Sequence, residues 1–260
     1  MNQPNRPVLD VRRDGGTATI VIDRPPANAV DPAMIEEFLE IIPELAKDVT
    51  VRCLVIRGTG RFFVAGADIA VMRDLSTANH VKMRRWIEVQ RLLELAPKPV
   101  IAAMNGHALG GGAELSLACD LRILAASATI GFPEMNLGLF PGAGGSQRLP
   151  RLLGPHRAKR LMIDGKRLSA GEALGLGLVD VVADDQDFDR VVAEHAESLA
   201  AKPTGTIGLL KHVVDAGYGL PIEEALEVER EAVMELIHTD DAAEGLQAFL
   251  DKRPPRFTGR

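Results

Sequence analysis

The chain has 260 residues, 46% hydrophobic and 25% charged, a balance typical of globular proteins and far from disordered or fibrous compositions. A formal net charge of −6 and a sequence pI of about 5.6 provide no overall attraction to nucleic-acid phosphates or anionic lipid, and 4% aromatic residues leave little to stack on bases. Two cysteines exclude a disulfide scaffold. No apolar run approaches the roughly 18 residues of a membrane span, and Met1–Pro7 lacks the basic-then-apolar order of a secretory leader, so a cytoplasmic protein with neither membrane nor nucleic-acid partner is expected.

In chain order, apolar runs predict strands over Val8–Arg12, Thr17–Asp23, Val51–Arg57 and Pro99–Met104. Between the second and third, Asp31 and Pro32 followed by Met34, Ile35, Phe38, Leu39 and Ile42 read as an N-cap, a first-turn proline and an apolar helical stripe. A longer helix is predicted over Ala78–Leu95, with Val81, Trp86, Val89, Leu92, Leu93 and Leu95 buried and Lys82, Arg84 and Arg85 on a solvated face. Glycine clusters at Gly110–Gly112 and Gly142–Gly145 mark backbone that turns sharply or approaches something closely. Beyond Ser169 the spacing is helical, over Asp187–Ala201, Thr204–Ala216, Pro221–His238 and Asp240–Lys252, interrupted by a short strand at Leu178–Val182. Cys53 and Cys119 sit in apolar runs and read as small buried hydrophobes.

Three stretches carry candidate chemistry. Asn105–Leu115 places three glycines at a strand-to-helix junction, where uncovered N–H groups and the helix dipole suit an oxyanion; a tight packing turn is the alternative. It is neither a P-loop nor a dinucleotide fingerprint. Glu114, in the first turn of that helix, either complements the dipole or does acid/base work. Glu134 is an isolated carboxylate among uncharged residues, a setting that raises the pKa towards that of a general acid. Phe62–Ile69, rich in small residues, allows a ligand to lie against the main chain, with Asp68 as a plain helix cap the alternative. The six histidines show no metal-ligand spacing, and Ser116 and Ser146 lack a nucleophile-elbow context.

These stretches together resemble the crotonase superfamily, and most closely its enoyl-CoA hydratases. The likeness rests on Arg24–Ala29, Phe62–Ile69, Asn105–Asp120, Pro133–Gly138 and Pro141–Leu149, in the family's order over nearly the whole chain. It implies an α/β fold, a spiral of ββα units over residues 1–200, followed by a helical trimerisation region over 201–260 that builds trimers or hexamers. It also implies an acyl-CoA thioester held between the N–H groups of Ala67 and Gly111, with Glu114 and Glu134 flanking the 2,3-double bond and the Gly142 N–H helping to hold a water. Ala27, Ala29, Ala65, Asp68, Ile69, Ala70, Gly110 and Pro133 fall at acyl-CoA-contacting positions, Ala70 standing where many relatives carry lysine. Phe249 and Lys252 either reach a neighbouring subunit's CoA or are an apolar helix face and an exposed charge. No metal or separate cofactor is implied. Hydration of a 2-enoyl-CoA is the leading expectation, with a 3-enoyl to 2-enoyl isomerase second and a non-catalytic, RNA-binding protein as the reading from another class.

Overall fold

Every side chain of Val100–Met104 is apolar and buried, so this strand has no face for water and belongs at the centre of a sheet covered on both sides. The computed structural model describes residues 7–74 and 76–259; Met1–Arg6, most of the stretch read for a leader, lie outside the described residues. The chain forms β1 (Leu9–Asp14), β2 (Thr17–Ile22), α1 (Pro32–Lys47), β3 (Cys53–Gly58), β4 (Phe62–Val64), α2 (Ile69–Met72), α3 (Thr77–Arg84) and α4 (Trp86–Leu95). There follow β5 (Val100–Met104), β6 (His107–Leu109), α5 (Gly111–Leu117), β7 (Leu121–Ala125), β8 (Thr129–Gly131) and a 3₁₀ turn at Pro133–Leu137. The remainder is α6 (Gly145–Leu153), α7 (Pro155–Asp164), β9 (Arg167–Ser169), α8 (Ala170–Leu176), β10 (Val181–Ala183), α9 (Phe188–Ala200), α10 (Thr204–Gly217), α11 (Ile222–Leu236) and α12 (Asp240–Asp251).

Two sheets organise these elements. One has strand order β1-β2-β3-β5-β7-β10 and the other β4-β6-β8-β9, antiparallel only at β1–β2 and β8–β9. Parallel neighbours require a crossover: that from β2 to β3 runs through α1 alone, and from β3 onward each includes a short strand of the second sheet, β3 running into β4, β5 into β6 and β7 into β8, each pair followed by helix. The two sheets therefore advance together, one ββα unit per turn of a spiral, which is the expected fold class. The expected cap of α1 is present, with Asp31 accepting from Met34 N at 2.9 Å and Met34, Ile35, Phe38 and Ile42 fully buried. Cys53 and Cys119 are free and buried, and burial pushes both thiols up to about 12.

Several expectations need correction. The helix expected over Ala78–Leu95 breaks at Arg85, whose N–H bonds to Lys82 O in a tightened turn. The break re-aims the second half, so Trp86, Val89, Gln90 and Leu93 face inward while Val81 and Leu95 are 54% and 53% exposed. The strand expected at Leu178–Val182 forms at Val181–Ala183; Leu178 and Val179 are buried in the turn leaving α8. At the C-terminal end, Lys211 of α10 reaches Asp120, Leu93 O and Lys98 O, tying that helix to α4 and the main sheet. The final segment folds back through Asp241, which accepts from Thr258 N at 2.6 Å and Gly259 N at 2.8 Å. Among the described residues no helix is long and apolar enough to cross a membrane.

Candidate active site

After β4 the chain makes a single bridge to Val30, and the neighbours of Ala67 supply its bonds: Val30 N donates to Gly66 O and Asp68 N to Val30 O, each at 2.8 Å. In a parallel bridge the central residue's own N–H points away from the partner strand, so that of Ala67 is directed outward. Gly66 makes the turn possible with φ +108°. Opposite it, Gly110 adopts φ +52° between β6 and α5, and Gly111 opens α5, where no intrahelical acceptor exists for its N–H. The site of a Cβ on Gly111 lies 3.8 Å from Ala67 N, so these two backbone positions are neighbours. The glycine cluster is also a packing turn, because a Cβ on Gly112 would stand 2.2 Å from Val64 O. The packing reading therefore holds for Gly112, while Gly111 stands beside Ala67 N.

Glu114 follows on α5 and is only 3% exposed. Its Oε1 accepts from Ala143 N at 2.8 Å and Gly145 N at 2.9 Å, both in the second glycine cluster. Burial pushes its carboxyl above the usual range, while those two N–H groups and the Arg148 charge oppose the shift by supporting the ionised form. Glu134 sits in the 3₁₀ turn. Burial, with the negative charge of Glu114 adding to it, pushes the Glu134 carboxyl up to about 7, and its Oε2 is buried without a hydrogen-bond partner. A Cβ on Gly110 would lie 2.9 Å from Glu134 Oε1, so the acid rests against the glycine corner. One carboxylate is thus braced by main-chain donors, and the other is left free to hold a proton.

A cavity of about 420 Å³ joins these groups, with Met72, Met83, Ile87, Leu137 and Phe140 among its apolar walls. Of the residues singled out from sequence, Ala65, Ala67, Ile69, Gly110, Gly111, Glu114, Pro133, Glu134 and Gly142 line it. Ala27, Ala29, Asp68, Ala70, Phe249 and Lys252 do not. Asp68 is occupied in capping α2, accepting from Ala70 N at 2.9 Å and pairing with Arg24 at 2.7 Å. Ala27 and Ala29 lend their carbonyls to Ala65 N and the Arg24 guanidinium. Phe249 is 82% exposed on α12, and Lys252, at φ +55°, closes the C-terminus of that helix. Arg84 is exposed, as expected of a solvated face, and also lines the cavity.

Sequence reasoning missed the roles of Trp86 and Arg148. Trp86 lines the cavity and donates its indole N–H to Gly111 O at 3.1 Å. Arg148 pairs with Glu94 and donates to Gln90 Oε1 at 2.7 Å. The available signal was a lone tryptophan within a helical stripe, which reads as core until the break at Arg85 is known. His107 Nδ1 bonds to Thr129, and among the described residues no group of three or more His, Cys, Asp and Glu side chains could hold a metal ion.

The arrangement can polarise a carbonyl between two N–H donors and move protons at two carboxyls, within a largely apolar chamber. Residues 12–260 match the family model described as enoyl-CoA hydratase/isomerase. A probable enoyl-CoA hydratase of Bacillus subtilis is 40% identical over 252 residues, spanning 95% of this chain and 96% of that protein. The short-chain-enoyl-CoA hydratase of Clostridium acetobutylicum is 38% identical over 246 residues, 94% of each chain. A crystal structure of enoyl-CoA hydratase from Bacillus anthracis superposes with a TM-score of 0.92 at 37% identity, covering 97% of this chain and 100% of that one. The chain belongs to the enoyl-CoA hydratase/isomerase family.

Proposed function

We propose that the protein is an enoyl-CoA hydratase, adding water syn across the 2,3-double bond of a 2-enoyl-CoA to give a 3-hydroxyacyl-CoA. The observation that carries this reading is the sharing of one cavity by two carboxyls, one braced by main-chain donors and one free, and the neighbouring backbone positions Ala67 and Gly111. The thioester oxygen accepts from the Ala67 and Gly111 N–H groups, and each such donor contributes on the order of 3 kcal/mol to stabilising an enolate. Glu114, ionised, draws a proton from water as the water oxygen bonds to C3, and the π electrons move onto the thioester oxygen. Glu134, protonated, returns a proton to C2 as the enolate collapses. An isomerase needs only one carboxyl to shuttle a proton between C2 and C4, so the presence of both in one cavity favours hydration. Relatives described as hydratases at about 40% identity support the same reading.

Only the CoA of the substrate enters this step, with no separate cofactor or metal. The proposed assembly is a homotrimer or hexamer built through residues 201–260, in keeping with the exposed apolar side chains Leu210, Val214, Leu226, Leu246 and Leu250 of α10–α12. The proposed setting is the cytoplasm, in keeping with the free thiols of Cys53 and Cys119. The test is to add the protein to crotonyl-CoA and follow the ultraviolet absorbance of the conjugated thioester. Absorbance is expected to fall as the double bond is hydrated; no loss with short- or medium-chain enoyl-CoA overturns the proposal.

A further inference from the structure

Three side chains of α4 stand four residues apart on one face: Trp86, Gln90 and Glu94. Each reaches a different part of the site's support. Trp86 donates to Gly111 O at 3.1 Å, on the residue whose N–H is one of the two carbonyl donors, and its indole nitrogen lies 3.3 Å from where a Gly111 Cβ would be. Gln90 and Glu94 both hold Arg148. Arg148 in turn lies against Gly144, where a Cβ would stand 1.8 Å from its Nη1, and its own N–H donates to Gly144 O at 2.8 Å. Gly144 joins Ala143 and Gly145, the two residues whose N–H groups hold Glu114.

The helix is itself fixed from both sides. Phe38 of α1 meets the Trp86 ring edge-on at 5.6 Å, and Lys211 of α10 donates to Leu93 O. Gln90 is fully buried, and the Arg148 and Glu94 side chains are only 16% and 19% exposed, so these contacts are shielded from competing water.

We propose that α4 is the positioning element of the site, with Trp86 setting the Gly111 donor and the Gln90–Glu94–Arg148 cluster setting the turn that braces Glu114. The assignment rests on the hydratase reading for its kinetic readout. Helical spacing brings the two supports into one rigid body, so the carbonyl grip and the base keep a fixed separation. None of these four side chains touches the reacting atoms; they act through Gly111 and through residues 143–145.

Trp86→Phe keeps a ring against Phe38 and removes only the donor. Its kcat for crotonyl-CoA hydration is expected to fall about fivefold at nearly constant KM, the scale of one hydrogen bond, with the pH profile unmoved. Arg148→Gln is expected to shift the acidic limb of kcat/KM, which reports ionisation of Glu114, to higher pH, while Arg148→Lys leaves that limb in place. Unchanged kcat in Trp86→Phe, a loss seen only in KM, or an unmoved limb in Arg148→Gln overturns the proposal.

Wild-type protein supplies a check that needs no variant, because Trp86 is the chain's only tryptophan. Butyryl-CoA, a thioester that cannot be hydrated, is expected to change the intrinsic emission, whereas CoA, which has no thioester carbonyl, leaves it unchanged. Equal responses, or none, contradict the Trp86–Gly111 link. This titration is independent of the reaction, so wild-type protein that fails to hydrate crotonyl-CoA overturns the hydratase reading and leaves the fluorescence result standing.

Discussion

The Gly145 N–H donates to Glu114 Oε1 at 2.9 Å, and a Cβ on Gly145 would stand 2.9 Å from that same oxygen. Pro141 closes the space on another side, with its Cβ 2.8 Å from the same point. The donor and the carboxylate therefore touch, and no side chain fits between them. Gly145→Ala is expected to displace the Glu114 carboxylate and lower kcat on crotonyl-CoA about a hundredfold, the usual cost of a misplacement near 1 Å. Steady-state kinetics alongside a thermal melt checks this, and a folded variant with near wild-type kcat would contradict it.

The pH dependence follows from the Glu134 carboxyl, which burial pushes up to about 7. The proposed mechanism needs its protonated form. Activity is therefore expected to hold below that value and to decline as pH rises through it, giving a basic limb near neutrality in the kcat profile. Glu134→Gln removes both the limb and the activity. A profile flat from about pH 6 to 9 would rule Glu134 out as the proton donor.

The same shift makes a stability prediction. A carboxyl with a raised folded-state pKa binds more protons folded than unfolded, so stability falls as pH rises from the unfolded value of 4.5 through about 7. Above that window the charged Glu134 is a burden on the fold. Glu134→Gln is expected to stabilise the protein at pH 8 by on the order of 1–2 kcal/mol, or a few degrees in Tm, with no gain at pH 4. Equal melting temperatures at pH 8 would show that the acid carries no such burden.

The alternation of central strands with helices and the two carboxylates were legible because each left a local mark: apolar runs for the strands, glycine clusters for the corner, an isolated acid for Glu134; the ββα spiral came from the family resemblance alone. The second sheet was not, since Phe62–Val64, His107–Leu109 and Thr129–Gly131 have three residues each and cannot display a period of two. The break at Arg85 was equally silent, because Arg84 and Arg85 are good helix formers and only tertiary contacts turn Trp86 inward. That silence concealed Trp86. The family likeness suggested Ala27, Ala29, Asp68 and Ala70 as ligand contacts; the cap that Asp68 forms was legible as the alternative reading, whereas its ion pair with Arg24, 44 residues away, was not.

At the C-terminal end, Asp241 is 3% exposed and binds Thr258 and Gly259 through three hydrogen bonds. Arg52 adds a bond to Phe257 O at 2.7 Å. Asp241→Asn keeps the shape and loses the charge, which is expected to cost about 1–3 kcal/mol and to expose Arg256 to trypsin. Limited proteolysis followed by mass spectrometry reads the result. A tail cleaved no faster than in the wild type would show that other contacts hold it.

In the proposed mechanism both carboxyls act on one face of a thioester held by the Ala67 and Gly111 N–H groups. Hydration of crotonyl-CoA in deuterated water tests it most directly, with nuclear magnetic resonance reporting the product's stereochemistry. A single diastereomer is expected, with deuterium at C2 and oxygen at C3 added to the same face. Addition to opposite faces, or a mixture of diastereomers, would contradict it.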